Sequence, residues 1–133
     1  MAGANRPISP HLTDGFRLHW RWGLAMLVSI LHRLSGNALA VAGLAVLLLW
    51  LGALAGGAES YASFSAHATA WYGRLVLIGI SWSFFNHMAS GIRHFVLDIG
   101  AGYELGANAL WSVLTPIIGI LLTAAFWAAL LLA

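Results

Sequence analysis

Three long stretches of the chain are almost entirely apolar, and short polar segments separate them. They cover residues 23–54, 71–97 and 108–132. Each stretch exceeds the roughly 20 residues that an α-helix needs to cross the hydrocarbon core of a bilayer. The pattern predicts an all-α membrane protein with a three-helix transmembrane domain in residues 23–133. A polar N-terminal arm, residues 1–22, is predicted to lie at the cytoplasmic surface.

The composition argues against the other classes of protein. Of the 133 residues, 61% are hydrophobic and 8% are charged, whereas soluble domains are about 45–50% apolar and about 25% charged. A pI of about 9.7 does not indicate a nucleic-acid partner, because the chain has no lysine and a net charge of only +2, without clustered basic patches. The absence of cysteine excludes disulfides and covalent c-type haem attachment. A transporter or proton pathway is disfavoured, since no acidic residue lies within a predicted span.

The arginines predict how the helices are oriented in the membrane. Five of the six lie at span ends that share one side: Arg6, Arg17, Arg21, Arg33 and Arg93. Arg74 lies alone on the other side. By the positive-inside rule, the N-terminus and the second loop face the cytoplasm, or the matrix of an organelle. Arg33 precedes Ala55 by about 33 Å of helix, which places it near the inner surface.

A first polar cluster lies at the start of the first span. Ser29 and Arg33 are four residues apart and share a helical face, and His32 lies beside them. If Arg33 were the only polar residue here, we would interpret it as a side chain that reaches the lipid headgroups. The adjoining serine and histidine favour a polar binding pocket instead, because intramembrane cations normally face protein, a cavity or an anionic partner.

A second polar cluster lies on the second span. His87, Gly91, His94 and Asp98 follow one another at spacings of four, three and four residues, which places them on one stripe of the helix. A neutral imidazole is a good axial ligand for haem iron, Gly91 leaves room for a flat macrocycle, and Arg93 and His94 could meet its propionates. From the residues alone, a packing histidine bonded to a neighbouring helix is an equally good interpretation of His87.

Three further features are predicted to be structural. Gly36, Ala40 and Gly43 form a stripe of small residues that suits close helix packing. Pro116 removes one backbone hydrogen bond early in the third span. The remaining histidines are predicted to be surface or interface residues outside the membrane: His11, His19 and His67.

Three motifs resemble those of the cytochrome b subunit of succinate dehydrogenase, in the same order and at the same spacing. Residues Arg6–Leu12 are similar to its RPxSPHL opening, and Ser29–Gly36 to its SIxHRxTG signature, with Ser35 in place of the usual threonine. Residues His87–Gly100 are similar to its HxxxGxRHxxxDxG signature. The resemblance covers essentially the whole chain. It departs from the family at Leu18–Trp22, where the family often has a tyrosine–arginine pair.

The resemblance implies a membrane anchor of two subunits with three helices each, which together bind haem b. A flavoprotein subunit with FAD and an iron–sulfur subunit with its clusters would cap this anchor on the cytoplasmic side. His87 matches the axial ligand of the haem iron, while His32, Arg33 and His94 match positions near the haem propionates. Ser29 and Arg33 match residues that line the ubiquinone site. Electrons from succinate would reach quinone there, linking the tricarboxylic acid cycle to the respiratory chain, and no catalytic residue lies in this chain alone.

Two alternatives stay open from the sequence. One is a haem-free structural anchor, in which replacing His87 costs only packing, and the other is the anchor of a quinol:fumarate reductase. A self-contained di-haem cytochrome is disfavoured, because it needs four deep histidines and His87 alone is clearly placed. The short segment before Arg6 leads us to expect a bacterial inner (cytoplasmic) membrane protein, with the mitochondrial inner membrane as the less favoured location.

Overall fold

The computed structural model of the protein describes residues 13–14, 17–18 and 23–132. Two strands of two residues, β1 (Thr13–Asp14) and β2 (Arg17–Leu18), pair antiparallel. The rest of the described chain is built from helices: α1 (Leu24–Ala38), a π-helical segment (Leu39–Gly43), α2 (Leu44–Ala55), α3 (Gly57–Thr69), α4 (Trp71–Asp98) and α5 (Leu105–Leu132). The RPISPHL motif, His11, His19 and Arg21 lie outside the described residues.

Three helices are long and apolar enough to cross a membrane, which confirms the predicted fold class. They cover Met26–Ala55, Trp71–Asp98 and Leu105–Leu132. The first of them continues from α1 through the π-helical segment into α2. The predicted spans are residues 23–54, 71–97 and 108–132, and α5 begins at Leu105 instead of residue 108. The side of the membrane on which the N-terminus lies stays a prediction.

The interior of the bundle is polar, and its exterior is apolar. The buried polar side chains are small or medium-sized: Ser35, Ser83, Asn86, Ser90, Ser112, Thr115 and Thr123. Within the described residues, the buried hydrophobic side chains are only Val28 and Ala53. Large apolar side chains face outward, and Phe95 is 71% exposed. This distribution is typical of helices in lipid, where small residues let backbones approach closely and lipid tails solvate the large apolar ones.

The first spanning helix packs against the bundle over only half of its length. α4 packs against α1 and α5, and α1 also contacts α5. The π-helical segment contacts α4, but in the described part of the chain no Cα atom of α2 lies within 8 Å of one in α4 or α5. The Leu44 N–H donates to the Leu39 carbonyl five residues back, so the helix widens where it leaves α4.

Helix α3 fills the gap that this divergence creates. Residues 57–69 fall in the connection between the first two predicted spans, and the structure forms a helix there that packs against both α2 and α4. Gly57 begins the helix with a φ of +84°, a conformation that glycine adopts without steric cost and that turns the chain directly after α2. A cavity of about 590 Å³ lies between α2, α3 and α4.

Candidate functional site

A cluster of three histidines joins α1 to α4. The rings of His32 and His87 stack with centroids 4.1 Å apart and an angle of 7° between their planes. The ring of His94 lies 5.0 Å from that of His32 and is tilted by 55°. His32 and His87 are half-buried, and His94 is exposed. The structure therefore brings together the three histidines that the sequence analysis assigned to haem binding.

The backbone of α1 determines which nitrogen of His87 is free. The Nδ1 atom of His87 lies 3.1 Å from the carbonyl oxygen of His32. Because a carbonyl oxygen can only accept a hydrogen bond, Nδ1 carries the proton and donates, and the lone pair is left on Nε2. No hydrogen bond to Nε2 is made within the described part of the chain. Metal-binding histidines use this arrangement, with one nitrogen on the metal and the other N–H on a carbonyl or carboxylate.

Gly36 provides the space that the His87 ring occupies. A β-carbon at this position would lie 2.8 Å from Cε1 and 3.1 Å from Nδ1 of His87, so any larger residue would displace the ring or separate the helices. The other two members of the predicted small-residue stripe make no comparable contact. Ala40 is exposed, and the atoms nearest to a β-carbon at Gly43 belong to its own helix.

Buried polar groups behind the histidines connect them to the centre of the bundle. Asn86 is 2% exposed, and its Nδ2 donates to the carbonyl oxygen of Leu31 at 3.4 Å and to Oγ of Ser35 at 3.3 Å. The Ser35 hydroxyl donates in turn to the His32 carbonyl at 3.0 Å. That carbonyl therefore accepts hydrogen bonds from both Ser35 and His87.

The sequence analysis missed Asn86. The sequence does contain a signal for it, namely a carboxamide inside an apolar span, directly before His87. A buried amide in lipid needs a hydrogen-bond partner, so this residue could have been expected to bond to another helix. On the side of α5, a β-carbon at Gly119 would lie 2.9 Å from Cα of Asn86 and 3.1 Å from its Cβ. Close packing against α5 thus holds Asn86 toward α1.

Ser29 and Arg33 share a face of α1, as their spacing predicted. The Nε atom of Arg33 donates to the carbonyl oxygen of Ser29 at 3.3 Å, so the arginine side chain lies along its own helix. Both residues are exposed, whereas His32 is half-buried. The chain itself leaves the predicted quinone-binding pair open to another chain, to lipid or to a ligand.

Arg93 binds α5 and not the histidine cluster. Its Nη2 donates to Oδ1 of Asn108 and, at 3.5 Å, to Oγ of Ser112. The sequence analysis placed Arg93 where it could meet haem propionates, whereas in the structure it joins the second and third spans. Spacing along α4 alone could not distinguish these roles. Asn108 lies on α5, and its contact with Arg93 depends on how the loop after Asp98 directs α5 against α4.

The residues present fit a haem group held through one histidine. A β-carbon at Gly91 would meet no atom within 4 Å, so α4 is open one turn beyond His87. In the described part of the chain, no three His, Cys, Asp or Glu side chains converge to hold a metal ion. A haem needs only one iron-binding nitrogen from a chain, and Nε2 of His87 is the candidate, because Nδ1 is bonded to the His32 carbonyl.

Comparison with known proteins gives consistent matches over most of the chain. Residues 3–130 match the family described as Succinate dehydrogenase/Fumarate reductase transmembrane subunit. The succinate dehydrogenase cytochrome b556 subunit of Paracoccus denitrificans is 36% identical over 101 residues, 76% of this chain and 73% of that protein. The Rickettsia felis protein of the same name is 33% identical over 122 residues, 92% and 90% of the two chains. The mitochondrial cytochrome b560 subunit of Sus scrofa is 36% identical over 107 residues, 77% and 59% of the two chains.

Proposed function

The chain belongs to the family of succinate dehydrogenase/fumarate reductase transmembrane subunits, and on this premise we propose that it binds haem b and forms part of a ubiquinone-reduction site. Its relatives are subunits of succinate dehydrogenase, and the chain has no catalytic activity without the other subunits. Its proposed partners are a second membrane anchor, a flavoprotein subunit with FAD and an iron–sulfur subunit. The complex would pass electrons from succinate to ubiquinone in the bacterial inner membrane.

His87 is the proposed axial ligand of the haem iron. The observation that carries this proposal is the Nδ1–H bond from His87 to the His32 carbonyl, which leaves Nε2 as the metal-binding nitrogen. Haem b, when bound, supplies a one-electron redox centre beside the quinone site. The second ligand is proposed to come from the partner anchor. His32 is not proposed for this role, because its ring stacks face to face with that of His87, with the centroids 4.1 Å apart, which leaves no room for a metal ion between the two rings.

His32, His94 and Arg33 are proposed to bind the haem propionates. The two histidine rings lie 5.0 Å apart, and Arg33 follows His32 directly on α1, so donors and a positive charge lie at one end of the cluster. Such groups stabilise carboxylates by charge-assisted hydrogen bonds. Nδ1 of His32 is buried and has no hydrogen-bond partner within the described residues, which leaves it free for a further acceptor.

Ser29 and Arg33 are proposed to hold ubiquinone on the open face of α1. The Ser29 hydroxyl would donate a hydrogen bond to a quinone oxygen, and the Arg33 guanidinium would stabilise the negative charge that develops as the quinone is reduced. Both side chains are exposed on this chain, so partner subunits would have to close the pocket and exclude water. Charge stabilisation is stronger in such a water-poor site.

The haem assignment is tested with a reduced-minus-oxidised optical spectrum of the complex. The complex is purified from its native membranes by an affinity tag on this chain. His87→Leu is expected to abolish or alter the b-type signal. His67→Leu is the matched control, because His67 lies on α3, outside the cluster, and should leave the signal intact. An intact wild-type complex without a b-type signal would contradict the assignment and favour a haem-free structural anchor.

The quinone assignment is tested on the same complex. Arg33→Gln and Ser29→Ala are expected to lower ubiquinone reduction by succinate, by about 100-fold for the arginine if it stabilises the developing charge. Reduction of a soluble dye by the flavoprotein should not change. Arg74→Gln, on the predicted opposite side, is the control. Equal effects of Arg33→Gln and Arg74→Gln would contradict the proposal, and faster fumarate reduction by quinol would favour the reverse enzyme.

A further inference from the structure

The carbonyl oxygen of His32 accepts hydrogen bonds from two side chains, Ser35 and His87, and only His87 is the proposed iron ligand. We propose that the Ser35 hydroxyl, held in place by Asn86, is a positioning residue that sets how strongly His87 binds the haem iron. This inference rests on the proposed function, because it concerns the strength of a ligand bond assigned there. It adds Ser35 and Asn86, to which the proposed function gives no role.

Ser35 and His87 compete for the carbonyl oxygen of His32. Ser35 Oγ lies 3.0 Å from the His32 oxygen, and His87 Nδ1 lies 3.1 Å from it. Because this carbonyl lies inside α1 (Leu24–Ala38), it also accepts the helical N–H of Gly36, so three donors share its two lone pairs. Electron density drawn toward the Ser35 hydroxyl makes the oxygen a weaker acceptor for the Nδ1–H group, so the bond from His87 is weaker than it would be without that hydroxyl.

The hydrogen bond from His87 Nδ1 affects how strongly Nε2 of the same ring would bind the iron. A hydrogen bond from the distal N–H of a metal-binding histidine raises the basicity of the nitrogen that binds the metal. A more basic Nε2 stabilises the oxidised iron more than the reduced iron and lowers the midpoint potential. By weakening the Nδ1–H bond, the Ser35 hydroxyl keeps His87 less basic and the potential higher.

Asn86 holds the Ser35 hydroxyl in place. Its Nδ2 donates to Ser35 Oγ at 3.3 Å, so the serine oxygen acts as an acceptor while its hydrogen is directed to His32. Hydrogen bonds in such a chain polarise and strengthen one another, more so in a site without water. Ser35 is completely buried, and Asn86 is packed against Gly119, so neither has solvent as an alternative partner.

The experiment is a redox titration of the b-type absorption band in the purified complex. Ser35→Ala removes the competing donor and is expected to shift the midpoint potential downward. Ser35→Thr keeps the hydroxyl and should restore the wild-type value. Ser81→Ala is the matched control, because that half-buried hydroxyl donates to the Leu77 carbonyl at 2.7 Å, which accepts from no histidine in the described structure. Its potential should not change.

The outcomes separate the inference from the function on which it rests. An unchanged potential in Ser35→Ala with haem retained would overturn the inference and leave the haem assignment standing. A wild-type complex without haem would overturn both. If Ser35→Ala does not retain haem, Asn86→Leu decides: it weakens the serine as a donor, so a smaller downward shift supports the inference, and no shift overturns it.

Discussion

The two halves of the first spanning helix meet the rest of the protein in different ways. At the histidine end, formed by α1 and the C-terminal half of α4, the helices are joined through buried polar groups such as Asn86 and Ser35. At the α3 end, formed by α2, α3 and the N-terminal half of α4, the helices pack around a cavity of about 590 Å³. The bond there between His67 Nδ1 and Tyr72 Oη, 2.6 Å long, is exposed.

The difference indicates where the bundle needs a fixed geometry. Binding sites require their groups to be held within about 0.5 Å, which depends on supporting groups that have no alternative partners. Asn86 and Ser35 meet this condition because they are buried, whereas His67 and Tyr72 can exchange partners with their surroundings. The end that carries the candidate site is therefore the one expected to tolerate the least change.

The largest effect is expected from Gly36→Ala. Its β-carbon would lie 2.8 Å from the His87 ring, so the variant should lose the b-type signal and about 1–3 kcal/mol of stability, as overpacked sites do. Optical spectra and thermal unfolding of the complex measure both. The control is Gly52→Ala in α2, where a β-carbon meets no atom within 4 Å. Equal losses in the two variants would show that the two ends do not differ as described.

A smaller effect is expected from Arg93→Leu, which removes the bonds from α4 to Asn108 and Ser112. Interhelical polar bonds in membrane proteins contribute about 0.6 kcal/mol on average and up to about 1.7 kcal/mol. We expect a loss of stability in the upper part of that range, measured by thermal unfolding, and an unchanged b-type signal. The matched variant is Arg74→Leu, an exposed arginine at the α3 end, which should be near neutral. Loss of haem in Arg93→Leu would instead connect this arginine to the propionates.

The smallest effect is expected from Tyr72→Phe at the α3 end. It removes the bond to His67, and because both side chains are exposed, the loss should be at most about 0.6 kcal/mol. The haem spectrum and midpoint potential should match the wild type. Tyr61→Phe is the control, since Tyr61 is also exposed and lies on α3. A change in the potential of Tyr72→Phe would show that the two ends are coupled.

The spanning helices could be predicted because lipid imposes both a length and an apolar composition on them. Helix α3 could not, because its residues GAESYASFSAHAT show no clear apolar stripe and are too few to form a stable helix in isolation. Its packing against α2 and α4 determines its structure, and no local pattern reports that the two helices diverge.

The candidate site could be predicted only in part. Spacing was enough to place Ser29 and Arg33 on one face and to align His87 with His94. The partner of the His87 ring could not be predicted, because the register between α1 and α4 depends on how closely Gly36 lets them approach. Helical spacing gives the direction of a side chain but not the element that it meets, and Arg93 illustrates this.

The hydroxyl groups of the polar interior have a consequence for how the protein is made. Most of them donate within their own helix, as Ser112 does to Asn108, Thr115 to Trp111 and Thr123 to Gly119. A nascent segment can therefore leave the translocon and enter the bilayer with these groups already satisfied. Lateral association of the inserted helices then requires few new polar contacts. The network around Asn86 forms when α1 meets α4, and the bonds of Arg93 form when α4 meets α5.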